Sequence, residues 1–160
     1  MADNNDLRPV IEYTAVKNYE ARMMAIAAKL AKMGVTDTAI AVERDKVGLD
    51  KGVQKLLHNL GVTASANAKK TERAMVGHGR SGYVPTGNLM KSIASHDDGL
   101  TTRVYPSAKA KDGVTEYGGF VEYGTRLHPV PEPYMQDTNA MMTGEIERQL
   151  RDLMSAFGGK

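Results

Sequence analysis

The chain has 160 residues, of which 41% are apolar, 6% aromatic and 25% charged. That is one domain's length with apolar matter for a moderate core, which excludes a collagen-like or wholly disordered chain. The lack of cysteine excludes a disulfide, a thiolate zinc site and a cysteine nucleophile, and a net charge of +2 is too balanced to predict nucleic-acid binding from bulk electrostatics.

Ten methionines and only two phenylalanines point to an adaptable interior filled by Met and Ala. Residues 1–80 carry 13 basic and 9 acidic side chains, and residues 81–160 carry 8 and 10, so the two halves differ mildly in sign. The first residues are polar and lack the basic-then-apolar order of a signal peptide. No apolar run approaches the roughly 18–20 residues of a membrane span. A soluble, intracellular protein is therefore expected.

Residues 1–10 read as a flexible arm closed by Pro9, and residues 11–160 as a single α+β domain. From Ile11 to Met33, Val16, Tyr19, Met23, Ile26, Ala27 and Leu30 recur at three- and four-residue steps, which predicts a helix that Gly34 ends. Thr36 or Asp37 is placed to cap a further helix carrying Ile40, Val42 and Val47. Gly48 and Gly52 weaken it, each costing about 1 kcal/mol against Ala in a helix interior. Val53, Leu56, Leu57 and Leu60 resume the stripe, Gly61 is expected to end it, and Ala64 to Met75 reads as another helix. Residues 11–76 thus form a helical half.

Three glycines in Gly77-His78-Gly79-Arg80-Ser81-Gly82 mark a loop, which Val84-Pro85-Thr86-Gly87 continues. Leu89 to Ser95 reads as a short turn that becomes a strand. His96-Asp97-Asp98-Gly99 predicts a hairpin, and Leu100 to Tyr105 alternates as a strand, with Thr102 and Val104 on one face and Arg103 and Tyr105 on the other. Pro106 to Asp112 is a polar, basic loop. Val114 to Thr125 is the most β-like segment, and the prolines of Arg126 to Pro133 exclude regular structure there. Met135, Met142, Ile146, Leu150, Leu153 and Phe157 share one face of a long closing helix. The expected architecture is helices, a small antiparallel sheet and that helix.

Enzymatic signals are weak. The Gly77–Gly82 loop lacks the Gly-Lys-Ser/Thr ending of a phosphate cradle. His96-Asp97-Asp98 lie too close along the chain to converge on one ion, so no metal or cofactor site is expected. His58 falls among leucines on a helix. His128 sits in a loop, and His78 has a candidate partner in Ser81 but no carboxylate placed to orient it. On alternation Glu122 shares a strand face with Phe120 and Gly124, where a structural ion pair or backbone hydrogen bond suits it better than a general base.

Two segments together resemble a known family. Val84-Pro85-Thr86-Gly87-Asn88-Leu89-Met90-Lys91-Ser92-Ile93 resembles the proline, Thr-Gly, Leu, Ser-Ile signature of the tail-completion, or neck, proteins of long-tailed bacteriophages. Tyr117-Gly118-Gly119-Phe120-Val121-Glu122-Tyr123-Gly124-Thr125 resembles that family's second motif, which a Pro-x-Pro segment and a C-terminal helix follow. Pro131-Glu132-Pro133-Tyr134-Met135 holds that place here. The likeness covers residues 83–157, and members of this kind include the minor tail protein Z of lambdoid phages.

The resemblance implies a structural virion protein without enzymatic activity, found in the neck or tail and assembled in the host cytoplasm. It implies a homo-oligomeric ring, six copies by analogy with tail symmetry or twelve at the connector. The implied partners are portal, adaptor or head-closure proteins on one side and tail-terminator or tail-tube proteins on the other, with no membrane. Pro85, Thr86, Gly87, Leu89, Ser92, Ile93, Phe120, Val121, Glu122, Tyr123, Gly124, Thr125, Pro131 and Pro133 would then be framework and subunit contact. Lys109, Lys111 and Arg80 would face packaged DNA or a neighbouring ring, through sequence-independent phosphate contact. Two other readings stay open on the residues alone. One is a small hydrolase or nuclease using Glu122 with His78 or His128, and the other is a stand-alone DNA-binding module built on the basic N-terminal half.

Overall fold

One long helix organises the molecule. In the computed structural model, which describes residues 7–15, 32, 34, 46–78 and 81–158, helix α1 runs unbroken from Lys46 to Met75. Leu56, Leu57, Leu60, Ala64 and Ala68 are buried along it on one stripe, and Val76 is buried just past its end. Gly48 and Gly52, expected to weaken the helix, and Gly61, expected to end it, all lie within it. Gly61 explains why: a Cβ there would stand 2.5 Å from Thr102 Oγ1 and 3.1 Å from Ser95 Cβ. The glycine lets the helix axis approach the sheet, and the packing gained on both sides offsets its poor helix propensity.

That sheet holds three antiparallel strands, β1 (Ile11–Thr14), β2 (Ala94–Asp98) and β3 (Thr101–Tyr105), in the order β1-β3-β2. Ile11 pairs with Val104 and Glu12 with Arg103, while Ser95 pairs with Val104 and His96 with Arg103. Ile11, Thr102 and Val104 are buried on the face that meets α1. The opposite face is polar. Arg103 Nε donates to Glu12 Oε2 at 2.6 Å, and the Tyr105 ring stacks on His96 at 4.5 Å and lies under the Arg8 guanidinium at 4.6 Å. The hairpin expected around Asp98-Gly99 is present, with Gly99 at φ 58° between Asp98 and Thr101, which pair across it.

Ile11–Thr14 corrects the reading of a helix starting at Ile11. The alternation Ile11 in, Glu12 out was there, but the helical spacing farther on outweighed a run of four residues. Beyond Ala15 that expected helix, the Thr36 or Asp37 cap, Ile40 and Val42 lie outside the described residues, save that Lys32 is helical and Gly34 has the left-handed φ of 89° expected of a stop. The arm expected over residues 1–10 is packed from Leu7 onward. Pro9 is buried, and Arg8 donates from Nε and Nη2 to the Glu116 carboxylate, each at 2.6 Å.

After α1 the chain passes through a loop to α2 (Asn88–Ser92), whose Leu89, with the following Ile93, is buried in the core. Pro106 to Asp112 is looped as expected, with an isolated bridge between Lys109 and Glu116. The segment expected as the strongest strand is instead a short helix, α3 (Gly118–Tyr123). Six residues are too few for period to separate strand from helix. Close approach decides it: a Cβ on Gly119 would lie 1.9 Å from the Leu7 carbonyl oxygen, and one on Gly118 2.6 Å from Pro106 Cγ.

The closing helix is two helices, α4 (Tyr134–Met141) and α5 (Thr143–Gly158), with a break at Met142. Met142 is wholly buried, and its N–H donates to Asn139 O in a tightened turn before Ile146 N–H donates back to Met142 O. Tyr134, Met135 and Met142 enter the core, which matches the expectation that methionine fills space there, while Met141 is exposed. The side chain of Phe157 lies outside the described residues.

Candidate functional site

The two motif segments meet at the far end of α1. The first begins with a turn. Gly87 takes φ 80°, Asn88 N–H donates to Thr86 Oγ1 at 3.4 Å, and Lys91 N–H donates to Gly87 O at 3.1 Å, so Thr86-Gly87 starts α2. Ser92 Oγ donates to Leu89 O at 2.7 Å and accepts the Ser107 N–H at 3.2 Å, fastening α2 to the chain that leaves β3.

The second segment turns inward through Glu122. Its carboxyl is buried and accepts the backbone N–H groups of Met135 and Gln136, both at 2.9 Å. These are first-turn donors of α4, which have no partner inside the helix, and the flanking Pro133 makes no side-chain cap. Glu122 therefore caps α4 from another element. Desolvation pushes its carboxyl up from the usual range, and the two N–H bonds partly restore it. The expected backbone hydrogen bond is present, although Glu122 reaches it from a helix and shares no strand face with Phe120 and Gly124. Val121 is buried beside it, Phe120 is half-buried and Tyr123 is exposed.

Past α3 the chain folds back on itself. Gly124 takes φ 76°, Thr125 N–H donates to His128 O at 2.8 Å, and His128 N–H donates to Thr125 Oγ1 at 3.0 Å. His128 Nδ1–H then donates to the Ser81 carbonyl at 2.9 Å, tying the 124–133 loop to the 81–87 loop. Ser81 thus partners His128, while the expected candidate, His78, donates from Nε2 to Arg73 O at 3.0 Å. No hydrogen bond among the described residues joins Glu122 to either histidine. Pro85 and Pro131 are exposed and Pro133 is half-buried.

Two buried acids went unread. Glu132 is 1% exposed, and both its oxygens accept the Gly77 N–H, at 3.3 and 3.2 Å, on the second residue past α1. Glu72, on the last turn of α1, is 4% exposed, and its Oε1 has no hydrogen-bond partner. Burial pushes the Glu72 carboxyl up, the charge of Arg73 pulls it back down in part, and the charge of Glu132 adds a smaller upward push. The signal for Glu72 was its place four residues after buried Ala68 on the apolar stripe. Glu132 sits between Pro131 and Pro133, where no periodicity marks a buried face.

Around this polar interior the loops present apolar side chains to solvent: Val84 at 78% exposure, Leu127 at 81%, with Tyr123 and Val130 also exposed. Lys109 and Lys111 are exposed on the 106–112 loop, and Arg80 lies outside the described residues. Among the described residues no three His, Asp or Glu side chains converge where they would hold a metal ion, and no helix is long and apolar enough to cross a membrane. The other histidine pair lies at the opposite end, where His58 Nδ1 stands 2.7 Å from Asp97 Oδ2 on the sheet. No family model, curated protein or solved structure matches the chain.

Proposed function

We propose that this chain is a structural subunit of a tailed-bacteriophage neck, assembling as a homo-oligomeric ring that completes the tail and joins it to the head connector. The observation that carries the reading is the use made of the motif residues. Ser92 and Glu122 hold backbone groups of other segments, Thr86, Gly87 and Thr125 close turns within their own, and His128 ties the two loops together at Ser81, so that loops distant in sequence form one ledge. Polar side chains committed in this way are framework. What the ledge offers outward is Val84, Tyr123, Leu127 and Val130, an apolar surface suited to a protein partner. The outer strands β1 and β2 bound the sheet and supply backbone groups to which a neighbouring subunit can add.

A ring repeats one heterologous contact around an axis. Six copies fit tail symmetry and twelve a connector, with portal, adaptor or head-closure proteins and tail-terminator or tube proteins as neighbours. Lys109 and Lys111 are available to packaged DNA.

Mass measurement of the purified chain, alone and mixed with isolated tails or connectors, followed by negative-stain imaging, tests the reading. Rings, or a stoichiometric collar on the tail end, are expected. Leu127→Asp should abolish the assembly while leaving the circular-dichroism spectrum unchanged. A chain that associates in neither setting, or one that turns over a substrate in a Glu122-dependent way, overturns it.

A further inference from the structure

Helix α1 turns one side to solvent, and that side carries a single sign of charge. At about 100° of turn per residue, Lys51, Lys55, His58, Lys69 and Arg73 fall within about 60° of arc, with Lys70 beside them. Lys51, Lys55, His58, Lys70 and Arg73 are exposed and Lys69 is half-buried. The two acids of α1 stand elsewhere: Asp50 lies off this arc, and Glu72 is buried. Among the described residues none of Lys51, Lys55, Lys69, Lys70 and Arg73 makes a salt bridge.

The acids nearest the stripe come from other elements. His58 takes Asp97 at 2.7 Å. Glu145 and Asp152, which share a groove with Lys55, both hold Arg148, and Asp137 shares a cavity with Lys70 and His78. The five lysine and arginine side chains outnumber what remains of these acids, so the face stays positive. The charge of the chain is balanced in sum, at +2, but sorted in space.

We propose that this face of α1 is a binding site for the phosphate backbone of duplex DNA, without regard to base sequence. Its length suits that occupant. Lys51 and Arg73 lie 22 residues apart, about 33 Å along a helix and close to the roughly 34 Å of one duplex turn. Over that length DNA offers a negative charge about every 1.7 Å. The face is also poor in apolar matter. Val62, 49% exposed, is the one large apolar side chain that α1 exposes among the described residues, so a protein partner finds no anchor to bury and a membrane no apolar face to take up. Val62 and the small, exposed Ala66 separate the cations into two groups, which meet two successive stretches of backbone. The major groove of B-form DNA, about 12 Å wide, admits a helix, whereas that of an RNA duplex is too narrow, which favours DNA.

The driving force is counterion release: each phosphate met by Lys or Arg returns a cation to solution, so affinity falls as salt rises. Lys109 and Lys111 lie on the 106–112 loop, and neither they nor ring assembly is needed for this contact.

Fluorescence anisotropy of a labelled duplex three turns long, titrated with the purified full chain across a salt series, tests the site. With five cations engaged, the logarithm of affinity should fall against that of salt with a slope of about −4 to −5, a loss of roughly a few hundredfold between about 50 and 200 mM. Lys51→Gln with Lys55→Gln, and separately Lys69→Gln with Arg73→Gln, should each make the slope shallower by about 2. Both should weaken binding to every sequence alike and leave the circular-dichroism spectrum unchanged. Lys109→Gln with Lys111→Gln should leave the α1 share in place. No binding at the low-salt end overturns the site, as does a slope that neither α1 variant moves or one that the Lys109 and Lys111 variant abolishes. Tighter binding to an RNA duplex of equal length, or displacement of the DNA by polyglutamate at equal charge, overturns it too. The lone chain suffices for every reading, so the DNA site and the ring stand or fall separately.

Discussion

The two sides of α1 are built by different physics. Toward the sheet, Gly61, Ala64 and Ala68 give a smooth helix surface against which Thr102 and Val104 close, with the exposed His58–Asp97 pair as a polar tie at its edge. Toward the loops, the same helix ends among Glu72, Glu122 and Glu132, three buried acids, two of which spend their oxygens on backbone N–H groups of Met135, Gln136 and Gly77. The dry side needs only shape and apolar area. The wet-chemistry side exists because the prolines and short helices there leave backbone donors that no ladder satisfies, and an unmet buried donor costs about 1–3 kcal/mol.

If that contrast is right, the two sides must respond differently to mutation. The largest loss is expected on the dry side: Leu60→Ala should cost about 2–5 kcal/mol by chemical denaturation, through lost burial and a cavity beneath the sheet. Glu122→Ala should cost about 2–4 kcal/mol, because two N–H donors of α4 lose their acceptor. Glu122→Gln should recover part of that loss and fray α4 alone in hydrogen exchange. Equal fraying of β3 and α4 would break the distinction between the sides. Gly61→Ala should cost about 1–3 kcal/mol by overpacking against Thr102, with unchanged pH dependence.

Titration sharpens the comparison further. On the sheet, Asp97 is held below its ordinary value by His58, and Glu12 by Arg103. Their contribution is present above the unfolded carboxyl range and fades as pH falls toward the folded midpoints. The loop-side acids Glu72 and Glu122 carry the opposite sign, losing stability as pH rises. Asp97→Asn should therefore soften only the acid limb of a stability profile, by a small amount since the pair is exposed. The smallest effect on folding belongs to Lys109→Glu with Lys111→Glu, which should leave the thermal midpoint unmoved while impairing DNA retention or joining. Normal infectivity of that double variant would remove the channel role from these lysines.

Legibility in the sequence follows the same divide. The hairpin, the loop through Gly87 and the alternation of Thr102 and Val104 were readable because each depends on neighbours along the chain. The break at Met142 was not, since Met135, Met142 and Ile146 fit one continuous stripe and only their descent into the core sets the turn. Glu122 was readable as a backbone partner but not as a helix cap, because Met135 and Gln136 are distant in sequence.

By itself the sequence determined the α+β class, the apolar stripe of α1 and the punctuation of the loops, since periodicity and backbone permissiveness act over a few residues. Only tertiary structure decided that Gly61 lies inside a helix and that Gly118–Tyr123 is helical. Tertiary structure also buried Glu72, Glu122 and Glu132. In each case the deciding term is a contact with a remote segment (Thr102, Leu7 or the first turn of α4), and such a contact outweighs local preferences that differ by about 1 kcal/mol per residue.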